Sequence, residues 1–158
     1  MKRPIISLTL GLLLSFYSLL GNTEEKSIWR EGRFYEGEEY EKLKQQEEEK
    51  IKTVAKEFIV GILTKDSDKL MELSYYKGFK FEKKATLSNF ISSYHSQDFA
   101  CYNIEIVSVN INEEIEEANV AMRVYYSTMD KSGGLSAAPV IHIWKFVYKD
   151  GKWLLLLK

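Results

Sequence analysis

The sequence predicts an α+β protein, with helices first and an antiparallel sheet after them. Three observations lead there. An apolar stripe of helical period runs through residues 51–63. After Gln97 the apolar residues recur at every second position instead. The chain then closes on "KFVYKDGKWLLLLK", two apolar runs joined by an Asp-Gly pair.

The first stretch reads as an export signal. Lys2 and Arg3 precede an apolar run from Ile5 to Leu20 that ends at Gly21-Asn22, the order of charge, apolar core and polar boundary found in signal peptides. The run is slightly short for a membrane-spanning helix, which needs about 20 residues. The expectation is therefore a signal peptide over residues 1–21 and a periplasmic or secreted protein. The alternative is an uncleaved anchor, which would be the protein's sole route to a membrane. No cysteine follows the run, so a lipoprotein-type acylation site is missing. Cleavage leaves about 137 residues, a normal size for one domain.

Residues 22–40 form a polar segment rich in acids and bases, with Gly32 and Gly37, and are expected to be a tether. Trp29, Phe34 and Tyr35 are its aromatic exceptions. A helix is expected from Glu38 onward, and a single α+β domain over residues 41–158. In that domain Ile51, Val54, Ala55, Phe58, Ile59, Ile62 and Leu63 lie on one helical face, opposite Lys50, Lys52, Lys56 and Glu57. "KDSDKLMEL" gives a second helix through about Ser74, capped by Asp66 or Ser67. "TLSNFISSYH" gives a third, with Thr86 as cap and Leu87, Phe90, Ile91 and Tyr94 on one face.

The strands follow. Tyr102, Ile104 and Ile106 hold one parity, and Val107, Val109 and Ile111 the other, a slip that a β-bulge produces. Ala118, Val120, Met122, Val124 and Tyr126 alternate with polar residues. "DKSGGLSAAP" reads as a connection, and residues 140–149 and 152–158 as the last two strands. Asp150-Gly151 is a type I′ hairpin turn. It sets Tyr148 opposite Trp153, Phe146 opposite Leu155 and Trp144 opposite Leu157. Both faces of this hairpin are mostly apolar, which predicts cover on both sides. The four leucines are thus two pairs facing opposite ways.

Composition excludes several functions. The net charge of −1 becomes more negative when Lys2 and Arg3 leave, so no nucleic-acid partner is expected. His95, His142 and Cys101 show no paired ligand spacing, so no metal is expected, and no cofactor-binding motif is present. Cys101 cannot close an intrachain disulfide and is expected as a buried thiol.

This order of helices and long strands, closing on "YKDGKW", resembles the nuclear transport factor 2-like superfamily over about residues 40–158. The resemblance implies N-terminal helices packed in a strongly curved antiparallel sheet, a cone. It also implies that family enzymes, isomerases and cyclases among them, place a carboxylate base and a Tyr or acid donor on inward sheet positions. Here the inward parity from Ala118 carries no acid; Glu117 faces outward and Asp130 falls at the rim. No catalytic residue is therefore assigned. The reading is an exported, non-catalytic binding or interaction module. It would hold a small apolar ligand in the cone, among Phe58, Met122, Tyr126, His142, Trp144 and Phe146, or a partner on the sheet face, including a homodimer through the sheet. The alternative is a small-molecule isomerase or cyclase-like enzyme, which a His-Tyr pair facing the cavity would favour. A cone filled by aromatic and leucine side chains would favour an interaction protein. His142 itself is either a pocket group or a core histidine satisfied by a backbone carbonyl or a tyrosine hydroxyl.

Overall fold

The computed structural model describes residues 26–96, 99–129 and 135–158. The expected signal peptide and Asp130 lie outside the described residues. The chain divides into two compact units that meet between Tyr40 and Glu41.

The first unit differs from the expected tether. Strands β1 (Ser27–Arg30) and β2 (Arg33–Glu36) form an antiparallel hairpin in register from Ser27↔Glu36 to Arg30↔Arg33. Its two turn residues, Glu31 and Gly32, both have positive φ, at 52° and 78°. That is type I′ geometry, but Glu-Gly is not among the dipeptides that announce it. The aromatics that looked like isolated exceptions are cross-strand partners, Trp29 with Phe34 and Tyr35 with Ile28. Arg33 adds an ion pair to Glu39 at 2.9 Å and lies over the Tyr35 ring.

Helix α1 (Gly37–Thr64) crosses the boundary between the units. In the second unit its buried face is the expected stripe, with Ile51, Ala55, Phe58, Ile59 and Ile62 removed from solvent. The stripe also extends one turn earlier through Glu47, a buried carboxylate at i−4 from Ile51. Helix α2 (Ser67–Glu72) is capped by Asp66, whose carboxylate accepts from the Lys69 N–H at 3.0 Å. Gly61 lies where α1 meets α2: a Cβ added there would stand 2.6 Å from Leu70 Cδ2.

Two boundaries differ from expectation. The second helix stops at Glu72, and Ser74–Tyr76 form a short strand, β3. Three residues are too few to show a period. Helix α3 (Lys80–Ser92) starts six residues before Thr86, because Glu82 Oε2 accepts the Phe79 N–H at 3.1 Å and caps the first turn. The opening "KFEKKA" has no apolar stripe to reveal it. Tyr94 follows the helix in a turn and is buried.

Strands β4 (Phe99–Ile111), β5 (Glu117–Met129), β6 (Leu135–Lys149) and β7 (Lys152–Leu157) complete a curved five-stranded sheet ordered β3-β7-β6-β5-β4. All neighbours are antiparallel except β3 and β7, which run parallel. β4 carries register shifts between Cys101 and Asn103 and between Ile106 and Ser108. The second is the expected parity slip. The first turns Tyr102 out to solvent, against expectation, and leaves Cys101 and Ile104 buried.

At the closing turn, Asp150 and Gly151 have φ of 50° and 80°. Lys149 pairs with Lys152, Tyr148 with Trp153 and Phe146 with Leu155. The pairing ends there, so Trp144 and Leu157 are not partners. Instead they help to wall a cleft of about 380 Å³ that also takes in Phe90 and Asn89 of α3. β7 has meanwhile found a second neighbour in β3. The expected cover on both sides holds only beside the turn, where Val147 and Leu154 of the second parity are buried, and fails farther along β6. Trp144, Phe146, Trp153, Leu155 and Leu157 are buried, whereas Ile141 and Ile143 on the other parity are 54% and 63% exposed.

Candidate functional site: an aromatic interior with one histidine

The inner side of the sheet is built by period-2 alternation. Ala118, Val120, Met122 and Val124 of β5 and Trp144 and Phe146 of β6 are all buried, and Met122 pairs directly with His142. Helix α1 contributes Phe58, and α3 with its following turn contributes Phe90 and Tyr94. The rings meet one another. Phe58 lies 5.4 Å from Trp144 and 5.8 Å from Phe90, both edge-on, and Phe90 lies 5.2 Å from Tyr94. Such spacings are those of packed aromatic pairs.

Of the six residues predicted to surround a cavity, Phe58, Met122, Trp144 and Phe146 are buried in this cluster. His142 and Tyr126 are half-buried. Phe99 stands edge-on to Tyr126 at 5.2 Å, also half-buried, so the cluster has a partly open end. Neither the cleft beside Trp144 nor a second one of about 410 Å³, between α1 and the closing hairpin, takes in His142.

A hydrogen-bonded series runs through the rings. The Trp144 indole N–H donates to Tyr94 Oη at 2.7 Å; Tyr94 Oη stands 3.1 Å from His142 Nδ1; His142 Nε2 stands 3.4 Å from Tyr126 Oη. The indole can only donate, so Tyr94 Oη accepts there, and each ring nitrogen of His142 faces one tyrosine hydroxyl. Burial lowers the pKa of His142 and raises those of Tyr94 and Tyr126. At neutral pH the series is therefore an uncharged one. It has the tyrosine satisfaction that a core histidine requires, and it also contains a His-Tyr pair at the half-buried end.

Acid–base turnover needs a base that can reach the substrate, and commonly a second group to hold developing charge. Nδ1 is occupied by a buried phenol. Among the described residues the sheet's carboxylates lie elsewhere: Glu117 faces outward and binds Lys145 at 2.6 Å, and Glu105 pairs with Arg123 at 3.7 Å. Among the described residues no cluster of His, Cys, Asp and Glu could hold a metal ion.

Three polar arrangements were not visible from the sequence. Glu47 Oε2 accepts from the Trp153 indole N–H at 2.6 Å, and Oε1 binds Lys50 Nζ at 2.7 Å. Its place on the apolar stripe was the available signal. Lys83 Nζ donates to the Met71 and Ser74 carbonyls, tying α3 to β3. His95 Nε2 stands 3.0 Å from the Ile62 carbonyl. Cys101 is buried as expected, and burial pushes its thiol up to about 11.

The sequence matches no protein-family model and none of the curated proteins. Solved structures similar to it include a protein of unknown function from Mycobacterium tuberculosis, at 10% identity and a TM-score of 0.50, covering 77% of this chain and 75% of that one. An NTF2-like protein with a cystatin-like fold from Novosphingobium aromaticivorans is 15% identical, with a TM-score of 0.49 over 74% of this chain and 86% of that one. A candidate dehydratase of the NTF2-like family from Streptomyces avermitilis is 13% identical, with a TM-score of 0.49 over 70% and 92%. At such identities the likeness is at most one of fold, and the structure itself is an α+β arrangement of a helix against a curved, mainly antiparallel sheet.

Proposed function

We propose that this protein is an exported, non-catalytic interaction module that works through the outer face of its sheet and pairs there with a second copy of itself. The observation that carries the reading is the inversion of its apolar surface. Phe58, Met122, Trp144 and Phe146 fill the inside, while Ile141 and Ile143 of β6 and Val107 and Tyr102 of β4 are exposed. Large exposed apolar side chains grouped on one sheet mark an interaction site. Two cations and two acids share that side as Arg123–Glu105 and Lys145–Glu117. A face of balanced charge suits its own copy across a two-fold axis, where each patch meets itself. Sedimentation equilibrium should show a dimer that Ile141→Lys with Ile143→Lys converts to a monomer of unchanged circular dichroism. A wild-type protein that stays monomeric at high concentration would overturn the reading. Export rests on the order of charge, apolar run and polar boundary in residues 1–21, and an intact mass beginning near Asn22 in the native host supports it.

A second reading has one observation in its favour, the half-buried pair of His142 and Tyr126. It makes that end of the cluster a shallow site for a small apolar ligand, oriented by one or two hydrogen bonds. Titration with a panel of apolar ligands, comparing wild type with His142→Ala, separates the two. Turnover of an enolisable substrate that disappears in His142→Ala would replace both with a small-molecule isomerase or cyclase-like enzyme.

A further inference from the structure

The segment between β3 and α3 reads "YYKGFKFEKK", residues 75–84. Among the described residues of the second unit, its two phenylalanines are the most exposed large apolar side chains: Phe79 is 71% exposed and Phe81 73%. They do not point apart. Their rings stack with centroids 5.9 Å apart and planes within 10°. The backbone beneath them is held firmly. Glu82 caps the Phe79 N–H, and Gly78 brings the chain so close that a Cβ would stand 2.5 Å from the Tyr76 ring and 2.7 Å from Glu82 Oε2. The result is a wedge of two stacked phenyl rings standing in water.

Cations are dense in this segment, although Lys83 is turned to the Met71 and Ser74 carbonyls. Lys77, Lys80, Lys83 and Lys84 belong to the same ten residues, against the single acid Glu82. Lys152 of the closing hairpin adds to them; burial first, and then the nearby charge of Lys152, disfavour the charge on Lys83. Asp68 and Glu72 share a cleft with Lys80 and Lys84 and offset part of that charge. Five cations and three acids still leave a positive excess, on a protein whose formal charge is −1.

We infer that Phe79 and Phe81, with the lysines around them, dock the protein onto an anionic lipid surface. Two stacked, exposed phenyl rings flanked by lysines offer apolar area and positive charge side by side. This combination suits the boundary between headgroups and acyl chains, where aromatic rings bury apolar area and lysines reach anionic headgroups. The fold sets the arrangement, because the Glu82 cap and Gly78 present both rings together. This contact is separate from the outer sheet face proposed above and from any attachment by residues 1–21.

Co-sedimentation of the full-length protein with vesicles tests it, comparing phosphatidylcholine alone with phosphatidylcholine mixed with phosphatidylglycerol. Wild type should partition preferentially to the phosphatidylglycerol vesicles, and added salt should weaken binding. Phe79→Ala with Phe81→Ala should reduce partitioning at least about tenfold, as expected for removing two interfacial rings. Phe79→Leu with Phe81→Leu should recover most of it. Lys77→Gln and Lys80→Gln should each cost about fivefold on the anionic vesicles only. These side chains are exposed, so circular dichroism should be unchanged in every variant. If the double alanine variant partitions like wild type, residues 79–84 are not the docking site. If wild type does not distinguish the two vesicles, or binds neither, the inference is overturned, and an acidic protein partner becomes the better occupant.

Discussion

Replacing Trp153 by Phe tests the buried polar link between helix and sheet. The Glu47 carboxylate is 2% exposed and accepts the indole N–H at 2.6 Å. Phenylalanine keeps an aromatic ring against Tyr148, which lies 5.5 Å away, but removes the donor. The smaller ring buries roughly 40 Å² less, costing about 1 kcal/mol. A hydrogen bond to a charged group is worth about 1.5–3 kcal/mol, and the loss falls on a carboxylate that cannot turn to water. The substitution should therefore cost about 2.5–4 kcal/mol, a large part of the ~5–15 kcal/mol available to a domain. Trp153→Ala should cost about 3–5 kcal/mol. Glu47→Leu in the Trp153→Phe background should restore part of the loss, because replacing both partners with apolar groups is close to neutral. Urea denaturation of the two single variants and the double variant gives the coupling. A midpoint that scarcely moves in Trp153→Phe, or costs that simply add, would refute the reasoning.

Other outcomes follow from single contacts. His142 has its pKa lowered by burial, so the unfolded chain binds its proton more readily than the native one. Stability should then fall as pH drops through about 6.5, the unfolded value; His142→Gln should flatten that part of the urea midpoint against pH, and an identical profile would contradict it. Gly61→Ala should cost about 1–3 kcal/mol by thermal melting, since the new methyl must displace Leu70. Cys101, buried and with its thiol raised to about 11, should react with a maleimide only under denaturing conditions.

Much of the fold was legible because period and turn chemistry agree across it. The stripe from Ile51 to Ile62 is the buried face of α1, and Asp150-Gly151 makes the hairpin its dipeptide announces. Short or polar elements were not legible. β3 has three residues, α3 opens on "KFEKKA", and the Glu31-Gly32 turn lacks a strong signal. The candidate site was legible by residue but not by partner. Tyr94 read as one more residue on a helical face, yet it joins Trp144 to His142 from a turn beyond the helix. Contacts spanning some fifty residues leave no periodic trace. The exposed side of β6 was misjudged for a related reason. Ile141 and Ile143 are apolar and alternate correctly, and alternation cannot say whether anything lies over a face.

Hydroxyl-radical footprinting across protein concentration addresses the central claim most directly, because it reports each side chain in the same sample. If the outer sheet face joins two copies, Ile141, Ile143 and Tyr102 should lose reactivity as concentration rises, while Phe79 and Phe81, on their separate knob, should stay reactive in the absence of lipid. Unchanged labelling of Ile141 and Ile143 at concentrations where the protein is dimeric would place the interface elsewhere and contradict the account.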